Sequence, residues 1–90
     1  MMNVRVRYAH RALKDLERLE QSVAQKIVQK IDFFHKQDNP LHYAQKLKPP
    51  FDDLYHFRIG DYRAVFEVDK HGNLTLLTIL NIRNRKDMYA

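Results

Sequence analysis

LYHFRIGDYRAVFEV, residues 54–68, is the stretch from which the rest of the fold can be worked out. Two runs rich in aromatic and β-branched residues flank Gly60-Asp61, a two-residue turn signal. If that pair is the whole turn, Ile59 lies opposite Tyr62, Arg58 opposite Arg63, Phe57 opposite Ala64 and His56 opposite Val65. Strand alternation then puts Tyr55, Phe57, Ile59, Tyr62, Ala64 and Phe66 on one face, an apolar floor for a core. His56, Arg58 and Arg63 share the other face. Like charges directly opposite one another weaken a sheet, so an anion should sit between the two arginines. Glu67 is the internal candidate, but it stands four residues from Arg63, roughly 13 Å along a strand. An external anion is the other reading.

Outward from the hairpin the pattern stays β on one side and turns helical on the other. Asp69 to Asn73 is a second turn, and Leu74 to about Ile82 is a long strand, apolar on both faces and so placed inside the sheet. At the start, Val4, Val6 and Tyr8 alternate with Arg5 and Arg7, a short half-exposed strand. From Ala9 the period becomes helical: Ala9, Ala12, Leu13, Leu16 and Leu19 fall on one side. Ser22 with Gln25 resembles a capping box that opens a second helix. Its face carries Val23, Ala24, Ile27, Val28, Ile31 and Phe34, and Asp38-Asn39-Pro40 should stop it near Gln37. Leu41 to Asp53 reads as a connector holding Lys46, Lys48 and the stiff pair Pro49-Pro50. The expected fold is α+β: an N-terminal strand, a two-helix antiparallel hairpin, then a three-stranded antiparallel meander with the helices on one sheet face.

Ninety residues make a single domain, 1–90, with a thin core, since a chain this size buries only about 60–65% of its unfolded surface. A formal net charge of +5 favours a polyanionic partner. No apolar run approaches the roughly 20 residues of a membrane span, and the first residues lack a signal-peptide pattern. There are no cysteines, so the cytoplasm is the default compartment. The five histidines show no metal-binding spacing, no Ser/His/Asp set is visible, and Asp52-Asp53 reads as a turn or cap. Neither a metal nor a cofactor is expected.

The C-terminus adds Arg83, Arg85 and Lys86, then Tyr89. A basic tail is commonly just solvated. Delivered by a central strand, these residues would instead complete a phosphate-binding groove, with an aromatic ring able to stack on a base or accept a proton.

KLKPPFDDLYHFRIGDYRAVFEV (46–68), followed by LTILNIRNRKDMY (77–89), resembles the RelE/ParE toxin superfamily, and Leu13-Lys14-Asp15-Leu16 in the first helix fits as well. The resemblance covers nearly the whole chain. For the RelE-like branch it implies the toxin of a type II toxin–antitoxin system: a ribosome-dependent mRNA endoribonuclease that inhibits translation without a metal. The ribose 2′-hydroxyl would attack the neighbouring phosphate and leave a 2′,3′-cyclic phosphate. Carried over residue by residue, Arg63 matches the arginine that stabilises the phosphorane, and Arg58 a basic position before the turn glycine. Arg83 and Arg85 both match tail positions where members place a functional arginine, and Tyr89 matches the terminal tyrosine proposed as general base. Catalysis is therefore expected of Arg58, Arg63, Arg85 and Tyr89, and RNA binding of Lys46, Lys48, His56, Arg83 and Lys86. His56 stands where the best-known bacterial member has lysine; it is either an acid or base near neutral pH or a strand residue without a role. The implied partners are a cognate antitoxin, the ribosome and mRNA. The alternative is a ParE-like DNA gyrase inhibitor without nuclease activity, which would use its exposed helices.

Overall fold

The computed structural model describes residues 4–51, 53–68, 76–84 and 86. Its elements run β1 (Arg5–Tyr8), α1 (His10–Glu17), α2 (Gln21–His35), a 3₁₀ turn (Pro40–Tyr43), β2 (Ala44–Lys46), β3 (Leu54–Ile59), β4 (Tyr62–Val68) and β5 (Leu76–Asn84). The strands form one five-stranded sheet in the order β1-β5-β4-β3-β2. β1 runs parallel to β5 and every other pairing is antiparallel. This is the expected α+β arrangement, with the apolar β5 inside the sheet.

The hairpin register is the one derived from its two-residue turn: Ile59 pairs with Tyr62, Arg58 with Arg63 and Phe57 with Ala64. Gly60 has φ of 60°, and no described residue other than glycine takes a positive φ. A positive φ at the first central position alone is the type II′ requirement, a turn whose twist matches the flanking strands. An added Cβ at Gly60 would meet nothing within 4 Å, so backbone conformation and not space selects glycine there.

Below the sheet, the core gathers Phe57, Ala64, Phe66, Leu77, Ile79 and Ile82 against Ala12, Ile27 and Ile31 of the helices. Aromatic rings tie the layers together. Phe34 of α2 lies 4.8 Å from Phe57, which stacks on Phe66 at 4.4 Å, and Tyr55 follows at 5.8 Å. Such offset contacts add to the burial of large apolar areas.

Several local expectations need correction. The connector holds a short edge strand, β2, and a 3₁₀ turn, which Asn39 caps by accepting from the Leu41 N–H. α2 begins at Gln21 with Glu20 as N-cap and no side-chain cap; Ser22 is already in the first turn, so no capping box forms. α2 ends at His35, two residues before the expected stop. There the Gln37 side chain donates to the Phe33 carbonyl at 2.8 Å, satisfying one of the last free acceptors. Leu13 and Val28 fit the apolar stripes by spacing, yet they are 47% and 39% exposed. The buried stripe is narrower than the apolar one, because each helix meets the sheet along only part of its circumference. The expected turn at 69–73 lies outside the described residues.

Candidate nucleic-acid interface

The face of the sheet turned away from the helices carries the polar members of the same alternation. On it, Arg58 of β3 pairs with Arg63 of β4, and Arg63 pairs in turn with Arg83 of β5. Three guanidinium-bearing residues thus stand side by side on three neighbouring strands, at cross-strand spacings of about 4.5–5.5 Å between paired backbones. Arg58 and Arg83 are exposed and Arg63 is half-buried.

Arg83 reaches this row only through an irregularity in β5. Phe66 pairs with Ile79 and Val65 with Asn81, so Leu80 is an extra residue, a β-bulge. Simple alternation from the buried Ile79 would bury position 83 as well. One inserted residue exchanges the faces, so that Ile82 enters the core and Arg83 joins Arg63.

A second device holds this part of β5. β1 pairs with β5 only as far as Ile79, which would leave the next backbone donors on that side unpaired. The Asp15 carboxylate of α1 accepts from the Ile82 N–H at 2.9 Å and from Arg11 Nε at 3.2 Å. Asp15 stands among charged residues on the polar side of α1, so its helical spacing gives no sign of this role. Alongside lies an open cleft of about 400 Å³ lined by Arg11, Asp15, Arg18, Tyr62, Arg83 and Asn84 among others.

Next to the arginine row, His56 pairs with Val65 and with Gln45 of β2. It is only 4% exposed. Its Nε2 lies 3.2 Å from Gln45 Oε1 and 3.4 Å from Arg63 Nη1. A neutral ring can donate to the first or accept from the second, not both at once. Nδ1 is buried without a partner among the described residues. Burial, and then the charges of Arg63 and Arg58, hold the imidazole pKa below its ordinary value. Both causes favour the neutral form of the ring beside Arg63.

Glu67 does not close the row. It pairs with Leu54 and Thr78, and the ion pairs among the described residues include Arg11–Asp15, His35–Asp32 and Lys36–Asp32 but none with Glu67. Of the remaining predicted residues, Lys46 pairs with Tyr55 and so belongs to the helix side of β2. The arginine face of that strand shows Gln45 instead, because alternation in the unforeseen β2 decides it. Lys48 is exposed in the turn that follows, where its carbonyl accepts from Phe51 N–H. Lys86 is exposed, with its backbone N–H donating to Asn84 Oδ1. Arg85 and Tyr89 lie outside the described residues. Among the described residues, no three His, Cys, Asp or Glu side chains come together as a metal-ion site, and no helix is long and apolar enough to cross a membrane.

Comparison with known proteins agrees with this architecture. No curated protein matches the chain. The chain is similar to one in the RelBE2 toxin–antitoxin complex from Mycobacterium tuberculosis, with 25% identity, a TM-score of 0.78 and 94% of each chain covered. In the archaeal RelE–RelB complex from Pyrococcus horikoshii the similarity is 22% identity and a TM-score of 0.67, covering 93% of this chain and 97% of the other. For the intact Escherichia coli RelBE complex the values are 17% and 0.66, over 90% and 95%; these last two likenesses speak to the fold. A sequence profile described as "ParE toxin of type II toxin-antitoxin system, parDE" matches residues 6–89. With the profile spanning almost its entire length, the chain belongs to the RelE/ParE family of type II toxin–antitoxin toxins.

Proposed function

We propose that this toxin is an mRNA endoribonuclease of the RelE kind, acting in the cytoplasm on message held by the ribosome. The observation that carries the reading is the row Arg58–Arg63–Arg83, positioned by a hairpin register and a bulge. Three cations abreast on one sheet face concentrate positive charge there, and a phosphodiester is an anion whose oxygens such a face is shaped to grip.

In the proposed reaction the ribose 2′-oxygen attacks the adjacent phosphorus, and the 5′-oxygen of the next nucleotide leaves, taking up a proton from water. The products are a 2′,3′-cyclic phosphate and a new 5′-hydroxyl end, with no metal required. Arg63, at the centre of the row, stabilises the phosphorane and Arg58 assists from β3. Fixed donors aimed at developing charge are worth about 10²–10³ in kcat each. Tyr89 is the proposed base that takes the 2′-hydroxyl proton, and Arg85 is assigned with it to the catalytic set. Arg83, Lys48 and Lys86 bind flanking phosphates, while His56 steadies Arg63 and does not itself transfer protons. Among the described residues the row Arg58–Arg63–Arg83 contains no carboxylic acid, so ribosomal RNA would align the substrate. The inhibitory partner is a cognate antitoxin, in keeping with the complexes of similar chains, and masking a basic face is favoured on electrostatic grounds.

The second reading, a gyrase inhibitor without nuclease activity, draws support from the ParE description of the matching profile and from Leu13 and Phe33, large apolar side chains exposed on the helices. Primer extension on mRNA from cells expressing wild type or an Arg63→Ala/Tyr89→Phe variant separates the two. Codon-phased cuts that vanish in the variant are expected. Intact message with stalled gyrase would establish the second reading.

A further inference from the structure

β1 repeats the arginine pattern at the far side of the sheet. Arg5 pairs with Leu76 and Arg7 with Thr78, while Val6 and Tyr8 between them pair with the buried Leu77 and Ile79. Arg5 and Arg7 therefore stand on the same face as Arg58, Arg63 and Arg83, and both are exposed. An Arg7 Nη2 leans toward β5, 3.4 Å from Thr78 Oγ1. Neither arginine is ion-paired among the described residues, whereas Arg11 and Lys36 are. Among the described residues, the carboxylates facing this stretch are few. Glu67 pairs with Thr78 from the β4 side, and Asp32, across the groove between β1 and α2, is engaged by Lys36 and His35.

We propose that Arg5 and Arg7 form a second phosphate-binding locus, so that single-stranded RNA seated on the arginine row continues across β5 onto β1. From Arg83 to the level of Thr78 is four paired steps once the bulge is discounted, roughly 13 Å along the strand. One strand spacing sideways puts Arg7 roughly 14 Å, and Arg5 roughly 20 Å, from Arg83. No single phosphodiester spans that separation, whereas several nucleotides of extended strand do. Glu67 repels phosphate on the β4 side, which directs the strand along β5 and β1. The inference rests on the RNA reading of the arginine row. A plainer role for Arg5 and Arg7, charges that keep an edge strand from pairing with other molecules, predicts no dependence on RNA length.

The test is binding of 2′-O-methyl RNA, which cannot be cut, as a trinucleotide and as a decanucleotide over a range of salt. Wild type should bind the decamer more tightly. An Arg5→Gln/Arg7→Gln variant should keep wild-type affinity for the trinucleotide, which also reports that it is folded, and lose the gain from length. Its slope of log K against log salt for the decamer should fall by about 1.4, two contacts at about 0.7 each for single strands. A variant that keeps the length gain and the slope overturns the second locus and leaves the arginine row intact. If Arg63→Ala binds both oligonucleotides as tightly as wild type does, the RNA reading of the arginine row fails and the second locus with it.

Discussion

The two faces of the β3–β4 hairpin are made by one alternation and do opposite things. Toward the helices, Phe57, Phe66 and Tyr55 stack with Phe34 and close the core. Away from them, Arg58, Arg63 and Arg83 stand abreast. A one-residue slip would exchange the faces, so burial of the aromatic side holds the register that keeps the arginines together. One face therefore supplies the burial that fixes where the charges of the other stand.

Substitutions on the two faces should separate stability from activity. The largest loss of stability is expected from Phe57→Ala, a fully buried ring at the centre of the stack. Denaturant unfolding should show a loss of about 3–5 kcal/mol. Asp15→Ala is next: it leaves the Ile82 N–H without its carboxylate partner, at a cost of about 1–3 kcal/mol. Asp15→Asn retains an acceptor and should recover much of that loss. If Ala and Asn melt alike, the bond from α1 to β5 is not what holds the strand beyond its bulge. The smallest effect is pH-dependent and comes from His56. Its folded pKa lies below the ordinary 6.5, so the unfolded chain takes up the proton first as pH falls. The stability from keeping this ring neutral is present above 6.5, declines as pH falls from there toward the folded value, and is fully lost below it. Melting curves against pH for wild type and His56→Gln should converge on the acid side; a constant difference across that range would mean the ring is not held neutral.

Much of this arrangement is legible in the sequence because a two-residue turn is local chemistry. Gly60-Asp61 determines which residues of β3 and β4 face each other, and the aromatic residues determine which side is buried. The pairing of Arg58 with Arg63 follows directly. Position 83 is less accessible, since the run Leu76 to Ile82 is apolar with or without a bulge at Leu80, and only pairing with β4 reveals the change of face. β2 leaves no sequence signal because Ala44-Gln45-Lys46 has no apolar alternation; it forms by backbone pairing to the edge of β3. Without that strand, nothing in the sequence tells that Lys46 faces away from the arginine row. Asp15 has an ordinary helical spacing, and its importance depends on where β1 stops. Leu13 and Val28 fit an apolar period but stand beyond the width of helix that the sheet covers.

The most direct test of the arginine row is single-turnover cleavage of mRNA on programmed ribosomes by purified Arg63→Ala, with unfolding of the same protein measured in parallel. A fall in rate of about 10²–10³, well beyond what any accompanying loss of stability accounts for, is the predicted result. Cleavage at the wild-type rate, or a loss of activity fully matched by loss of fold, would contradict the claim that these guanidinium groups are held together to act on a phosphodiester.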